Sequence, residues 1–182
     1  MGYSLELFLA NFDALSNIIG SKNDSLLSEI LDGQYCRDQD RESDDGKTVL
    51  RAVSEFISGA QLGRKVPAEH EHIYRYAFRE ICRFTCEEIE LNRWVGVHYS
   101  AVQETGLKQI MKEYSHSPFP SVPCGTTDEF PVISYISNSN LKRANSLLTE
   151  SGETEIVNLA EDFSECIDMA ISSNCDFISF YY

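Results

Sequence analysis

Both ends of this 182-residue chain have strand-like sequences, whereas most of the chain between them has helical spacing. Residues 4–11 (SLELFLAN) place apolar side chains at alternate positions, namely Leu5, Leu7 and Leu9. Residues 176–182 (DFISFYY) are rich in aromatic residues, which favour strands. Because an isolated strand is unstable, we predict that the N-terminal and C-terminal strands pair in a small antiparallel sheet.

The segments between these strands repeat apolar residues at intervals of three and four, which indicates helices. The shorter helices are predicted from a cap at Asp13 to Ile19, from a cap in Ser21–Asp24 to Gly33, at Lys47–Gly59, at Trp94–Tyr114 with a break near Gly96 or Gly106, at Ser139–Thr149 and at Glu155–Ser172. A further short strand is predicted at Val132–Ile136. The chain is therefore expected to have a mostly helical α+β fold.

The longest predicted helix starts after Pro67 and runs from Ala68 to about Leu91. Its inner face is expected to comprise Ile73, Tyr74, Ala77, Phe78, Ile81, Phe84 and Ile89. Arg75 and Arg79 are expected on the opposite side with Glu71 and Glu80.

The length of the chain predicts a single domain over residues 1–182, since domains commonly hold about 100–200 residues. Two irregular segments are expected within it: an acidic loop at about 34–46 and a proline-rich ordered loop at about 116–131, packed by Phe119 and Phe130. No apolar run approaches the roughly 20 residues of a membrane span, and no secretory signal is recognisable. A soluble, cytoplasmic protein is expected.

The formal net charge of −14 is unevenly distributed. The last basic residue is Arg143, so residues 144–182 carry acidic groups without any Lys or Arg. Such a surface repels phosphate, which argues against nucleic-acid binding and against anionic membranes. It favours a basic protein partner, although many proteins are acidic for solubility alone.

Two acidic segments are predicted to contact such a partner. The predicted contact residues are Asp38, Asp40, Glu42, Asp44 and Asp45 in the first segment, and Glu150, Glu153, Glu155, Glu161, Asp162, Glu165 and Asp168 in the second. Of the second segment, Glu161, Asp162 and Glu165 are the main candidates. If the terminal strands pair, the two segments are expected to lie near one another as one acidic face.

The six cysteines are expected to be reduced and to pack as small apolar side chains. Cys82 and Cys86 are four residues apart on the longest predicted helix and offer two thiols, but no CxxC or HxxxH pair supplies further ligands for a metal. Glu87 and Glu88 are expected to raise the pKa of Cys86, because nearby negative charge disfavours a thiolate.

Sequence motifs of the common enzyme classes are missing. The chain contains no GxSxG, GxxxxGK[ST] or GxGxxG. The acidic loop does not match a calcium loop either, since Ser43 and Val49 stand where glycine and glutamate are needed. His70 and His72 are interpreted as part of a solvated first helical turn rather than as metal ligands. No catalytic residue, cofactor or metal is therefore predicted.

Several short segments together resemble a family of uncharacterised bacterial proteins, a domain of unknown function. The matching segments are Asp13–Leu15, Ile19–Lys22, Leu26–Leu27, Tyr74–Ala77, Ile81–Cys82, Asp128–Pro131 and Phe177–Tyr182. The segment Asp128–Pro131 has one inserted residue relative to the Asp-Phe-Pro-like motif of that family, and residues 34–66 match the family poorly. Because the family has no established activity, the resemblance implies no catalytic residues and mainly favours a single domain.

Size, charge and missing catalytic motifs lead to one main functional hypothesis and two alternatives. The main hypothesis is a non-catalytic binding protein, of the immunity-protein or antitoxin kind, that neutralises a basic bacterial toxin. The first alternative is a small cytoplasmic enzyme with a site near Trp94, His98 and the 116–131 loop. The second is an inhibitor that mimics DNA, which would need carboxylates spaced like phosphates along one face.

Overall fold

The computed structural model describes residues 5–32, 48–60, 64–89, 131–149 and 157–181, together with 109–110, 113–114, 119 and 122. Four strands are present in these residues: β1 (Leu5–Ala10), β2 (Glu87–Glu88), β3 (Val132–Ile136) and β4 (Asp176–Tyr181). The helices are α1 (Phe12–Ile18), α2 (Asp24–Asp32), α3 (Val49–Ser58), α4 (Glu71–Thr85), α5 (Asn138–Thr149) and α6 (Val157–Ser172). A single 3₁₀ turn, Ala68–His70, precedes α4.

The four strands form one antiparallel sheet in the order β2-β1-β4-β3. Leu5 faces Tyr181 and Ala10 faces Asp176, so β1 and β4 pair along their whole length. The other side of β4 pairs with β3, where Ile136 faces Phe177. The predicted pairing of the terminal strands and the predicted α+β class are confirmed.

The chain divides into two compact units, which are described separately. The sheet unit comprises residues 1–10, 87–116 and 132–182, and the helical unit comprises residues 11–86 and 117–131. The sheet unit contains the sheet with α5 and α6, and the helical unit contains α1 to α4. The single domain expected from length stays a prediction.

Aromatic residues form the core of the sheet unit. Phe8 and Phe180 meet edge to face with their ring centroids 5.7 Å apart. Phe163 of α6 meets Phe177 in the same way at 5.3 Å, which fixes α6 against β4. Edge-to-face pairs of this kind contribute about 0.5–1.5 kcal/mol beyond the burial of their surface.

Asp176 joins three elements of the sheet unit at the start of β4. Its carboxylate accepts a hydrogen bond from the backbone N–H of Asn138 at 2.8 Å, at the first turn of α5, where helix N–H groups lack partners within the helix. It also accepts one from the hydroxyl of Tyr135 in β3 at 3.1 Å. Burial and the neighbouring Asp176 raise the pKa of Tyr135, so this hydroxyl stays protonated as a donor.

The helices of the helical unit begin at side chains that accept hydrogen bonds from the first turn. Asn11 accepts from the N–H of Ala14, so α1 is capped by Asn11 and the expected cap at Asp13 was wrong. Asn23 caps α2 through the N–H of Leu26, within the segment Ser21–Asp24 that was expected to cap it. Thr48 caps α3, which ends at Gly59 with φ of 77°, a left-handed conformation that glycine adopts without strain.

Aromatic contacts also hold the helical unit together. Phe56 of α3 and Tyr74 of α4 meet edge to face at 5.4 Å. Phe119 is buried, stacked on Phe12 at 5.1 Å and edge to face with Phe78 at 5.8 Å. Phe119 is therefore packed, as the sequence predicted for the proline-rich loop. Most of that loop, including Phe130, lies outside the described residues.

The predicted helix Ala68–Leu91 is too long at both ends. Its first three residues form the 3₁₀ turn, and α4 ends at Thr85 because Cys86 is extended (φ −112°, ψ 159°). The chain then enters β2, and the N–H of Ile89 donates to the carbonyl of Leu7 at 2.9 Å. Pairing with β1 satisfies backbone groups that would otherwise be unpaired at the edge of the sheet, and this overrides the helical spacing.

The other predicted elements agree with the structure to within one or two residues at each end. The exception is the predicted helix Trp94–Tyr114, which falls almost wholly outside the described residues. Among the helices of the described ranges, none combines the length and the apolar character needed to cross a membrane.

Candidate functional site

The outer side of α6 carries three exposed carboxylates, which we call the α6 acidic face: Glu161, Glu165 and Asp168. Their spacing of four and three residues places them in a row on one side of the helix, over roughly 10 Å at 1.5 Å per residue. Asp162 is half-buried beside them. The opposite side of α6 is buried through Phe163, Cys166, Ile167 and Ala170.

An exposed apolar side chain lies next to these carboxylates. Met169 follows Asp168 directly and is 44% exposed. It lies one turn from Glu165 on the same side of the helix. Methionine is flexible and polarisable, which suits a contact surface.

Hydrogen bonds from α5 hold the middle of α6 in place. The amide of Asn145 donates to the carboxylate of Asp168 at 3.2 Å, and the hydroxyl of Ser164 donates to the amide oxygen of Asn145 at 2.6 Å. Together with the packing of Phe163 on Phe177, these bonds position the α6 acidic face on a fixed helix rather than on a loop.

The charge of this face acts on the interior of the sheet unit. Burial, then Asp162 and Glu165, raise the pKa of the Cys166 thiol to about 12. Burial is the larger cause, and the carboxylates of Asp162 and Glu165 disfavour the thiolate further. No Lys or Arg of residues 144–182 offsets their charge, because that segment contains none.

A second cluster lies on α4, where the sequence analysis predicted the wrong environment. Arg75 and Arg79 were expected on the side away from the apolar face, yet they are only 1% and 3% exposed, and Glu80 is 3% exposed. The carboxylate of Glu80 lies 2.7 Å from the guanidinium of Arg79 and 3.3 Å from that of Arg83. Paired and hydrogen-bonded charges can be buried, which a pattern of apolar residues does not reveal.

Other contacts complete this charged cluster. The guanidinium of Arg79 lies over the ring of Tyr76, 5.0 Å from its centroid, and Arg75 lies 3.6 Å from the carboxylate of Glu71. The sequence does contain a pattern that indicates this cluster: Arg75, Arg79 and Arg83 are spaced four residues apart, and acidic residues lie one turn or less from them. The arrangement pairs each of the three arginines with one of two carboxylates, Glu71 or Glu80, along α4.

The two thiols of α4 also differ from expectation. Burial raises the pKa of Cys82, whereas the hydrogen bond from the Cys82 thiol lowers the pKa of Cys86. The hydroxyl of Thr85, 3.6 Å from the Cys86 sulfur, acts in the same direction. The expectation that Glu87 and Glu88 raise the pKa of Cys86 was therefore wrong: its pKa is lowered, because hydrogen bonds to the sulfur outweigh its burial.

Of the predicted contact residues, Glu161, Asp162, Glu165 and Asp168 lie together on α6. The others lie outside the described residues: Asp38, Asp40, Glu42, Asp44, Asp45, Glu150, Glu153 and Glu155. The same is true of Trp94, His98 and His116, which belong to the enzyme alternative. Sequence analysis missed one member of the α6 surface, Met169, which is the apolar neighbour of the carboxylates.

His70 and His72 lie at the start of α4, as expected, and both are half-buried. In the part of the chain that the structure describes, no three His, Cys, Asp or Glu side chains are grouped so that they could hold a metal ion.

Comparison with protein-family models gives one match that spans the chain. The model of a domain of unknown function, DUF7691, covers residues 1–182, so the chain belongs to this family. This confirms the resemblance to a family without an established activity. No curated protein and no solved structure matches the chain.

Proposed function

We propose that this chain is a non-catalytic binding protein, of the immunity-protein or antitoxin kind, that binds and neutralises a basic bacterial toxin in the cytoplasm. The observation that carries this proposal is the α6 acidic face with the exposed Met169 beside it. The partner surface that fits this face bears Lys or Arg side chains around a small apolar patch.

Complementary charge and an apolar contact act at different stages of association. Exposed carboxylates accelerate encounter with a basic protein and select against acidic ones. Met169 offers apolar surface that becomes buried once the complex has formed, and burial of apolar area slows dissociation. A mainly charged surface with one apolar residue therefore supports fast and salt-dependent binding.

The fixed position of the carboxylates supports the same proposal. Asp168 is held by Asn145, and α6 is anchored through Phe163. Because these groups need not be ordered on binding, less entropy is lost when a partner's guanidinium or ammonium group approaches them.

The test uses the protein encoded next to this chain's gene as the partner. It is expressed alone and with this chain, growth of the host is measured, and association rates are measured at low and high salt. The expected results are growth inhibition relieved by this chain and association that slows as salt rises. A neighbouring protein that neither inhibits growth nor binds would overturn the immunity proposal.

Substitutions then locate the contact surface. Neutralising the α6 acidic face (Glu161→Gln, Glu165→Gln, Asp168→Asn) is expected to lower the association rate about tenfold at low salt. A matched variant neutralises three exposed carboxylates of α1 and α2: Asp13→Asn, Asp24→Asn and Glu29→Gln. It changes the net charge equally and is expected to alter the rate less than about twofold. If both variants slow association equally, the association rate depends on the net charge of the protein and not on the α6 acidic face.

A further inference from the structure

The exposed methionine of α6 has no room to withdraw into the core of the sheet unit. The inward positions before and after it are filled by Cys166, Ile167 and Ala170, which are at most 1% exposed. Interiors packed this closely do not admit a further side chain. The backbone is held at this point as well, because the carbonyl of Met169 accepts a hydrogen bond from the N–H of Ser173 at 2.9 Å. The 44% exposure of Met169 is therefore set by the packing of the helix.

Two sulfur atoms lie three residues apart on α6, and they differ in accessibility. Cys166 is 1% exposed, whereas Met169 is 44% exposed. Carboxylates lower the reactivity of a thiol by disfavouring its thiolate, but a thioether has no proton to lose and keeps its reactivity beside them. A small neutral oxidant from solvent therefore reaches and oxidises the thioether of Met169 and not the thiol of Cys166.

Oxidation changes the polarity of this side chain without changing its charge. A thioether is flexible and apolar, whereas a sulfoxide is polar. The exposed carboxylates of Glu161, Glu165 and Asp168 are not altered by the reaction. The proposed contact surface combines charge with one apolar contact, and oxidation therefore removes only the apolar contact.

We propose that Met169 is a modification site, at which a hydroperoxide forms methionine sulfoxide and thereby shortens the lifetime of the complex with the basic partner. The inference rests on the proposed function, because Met169 lies in the contact surface proposed there. The oxidised protein is expected to encounter its partner as fast as the reduced protein does and to release it sooner. Charge then controls how fast the complex forms, and the oxidation state of one sulfur controls how long it lasts.

The chemistry is a two-electron oxidation of the sulfur by the peroxide. The sulfur of Met169 attacks one oxygen of hydrogen peroxide, the S–O bond forms and the O–O bond breaks. A proton moves from the transferred oxygen to the departing hydroxide, so the products are one sulfoxide and one water. A methionine sulfoxide reductase with a dithiol reverses the change: the thioether is restored, the dithiol becomes a disulfide, and one water is released.

The first test measures the oxidation itself and needs no partner. Trypsin cleaves after Arg143 and at no later residue, so peptide 144–182 contains Met169 and no other methionine. The whole protein is treated with hydrogen peroxide, folded or in urea, thiols are alkylated, and the gain of one oxygen at Met169 is followed by mass spectrometry. The folded protein is expected to be oxidised there within about threefold of the rate in urea. A rate in the folded protein more than about tenfold lower would overturn the proposal.

The second test measures binding to the protein encoded next to this chain's gene. Dissociation rates are compared before and after this chain is treated with hydrogen peroxide. The dissociation rate of the wild-type protein is expected to rise about tenfold, since partial burial of a methionine side chain changes a binding constant by roughly that factor. The association rate is expected to change less than about twofold, because no charge is altered. Treatment with a methionine sulfoxide reductase is expected to restore the original dissociation rate.

Two variants assign the effect to one sulfur. In Met169→Leu, peroxide is expected to leave the dissociation rate unchanged, whereas the matched control Met111→Leu is expected to keep the rise of about tenfold. A rise that persists in Met169→Leu, or equal dissociation rates of the reduced and oxidised wild-type proteins, would overturn this inference and leave the proposed function intact. If the unoxidised protein does not bind its neighbour, the proposed function fails, and the effect of oxidation on binding fails with it.

Discussion

Phe180 offers the most direct test of how the sheet unit is stabilised. It lies in β4, an inner strand of the sheet, is completely buried, and contacts Phe8 edge to face at 5.7 Å. Phe180→Ala removes this contact and leaves a cavity. Substitutions of this kind cost about 3–5 kcal/mol in the free energy of unfolding. For a chain of this size, that loss lowers the melting temperature by roughly 6–20 °C.

The measurement is urea-induced and thermal unfolding followed by far-ultraviolet circular dichroism. The matched control is Phe84→Ala, the same substitution at a side chain that is 44% exposed. We expect the control to cost less than about 1 kcal/mol, because little buried surface is lost. If Phe180→Ala destabilises the protein no more than Phe84→Ala does, the reasoning from burial is refuted.

A double-mutant cycle separates the ring contact from the general effect of burial. Phe8→Ala, Phe180→Ala and the double variant are compared by their free energies of unfolding. The coupling energy expected for an edge-to-face pair is about 0.5–1.5 kcal/mol. A coupling energy of zero would show that the two rings stabilise the sheet independently, contrary to the geometry.

Three further predictions concern individual groups. The pKa of the Cys166 thiol is raised to about 12 in the folded protein. The contribution of this thiol to folding stability is therefore complete below about 8.5, the pKa of the unfolded thiol, and is lost as pH rises toward 12. Urea titrations across this pH range should show that the free energy of unfolding falls less steeply with pH in Cys166→Ala than in the wild-type protein, by up to about 1.4 kcal/mol per pH unit. Tyr74→Phe removes the hydrogen bond that the hydroxyl donates to the Glu55 carboxylate, and urea denaturation should show a loss of about 1–3 kcal/mol. Thr48→Ala removes the acceptor for the N–H of Arg51 and should cost about 1 kcal/mol in the same assay.

Each of these predictions has an internal control. A pH dependence unchanged in Cys166→Ala would contradict the raised pKa. For Tyr74, a cycle with Glu55→Gln isolates the hydrogen bond, and additive losses would argue against it. Thr48→Ser keeps the capping oxygen, so a loss equal to that of Thr48→Ala would contradict the capping role.

Strand pairing and helix positions followed from local patterns in the sequence. The alternation at Leu5, Leu7 and Leu9 and the aromatic residues around Phe177 predicted strands that the structure pairs directly. The local patterns were sufficient to predict the pairing, because a strand of this kind is stable only when it is paired with another.

The environment of charged and thiol groups could not be predicted in the same way. Arg75 is buried with the Glu71 carboxylate 3.6 Å away, and its burial depends on how α4 packs in three dimensions rather than on the local pattern. The pKa of Cys86 depends on the direction of the Cys82 and Thr85 hydrogen bonds, which the neighbouring acidic residues in the sequence do not show.

The α6 acidic face was located partly from the sequence and partly from the structure. The shortage of Lys and Arg after residue 143 identified the segment as acidic. Which acidic residues share one exposed side depends on the rotation of the helix, which Phe163 and Ile167 fix by facing inward. This rotation also placed Met169 on the outer side, where net charge could not have located it.

The position of β4 has a consequence for synthesis of the protein on the ribosome. β1 is made first and β4 last of the four strands, yet they are neighbours along their whole length. At common rates of translation, β1 waits on the order of 10 s for its main partner. During that time the side of β1 that pairs with β4 presents unpaired backbone groups and apolar side chains, which are the features that chaperones protect and that promote aggregation. The sheet is therefore completed only once β4 has been synthesised, and expression of the protein should respond more strongly to chaperone supply than its final stability would indicate.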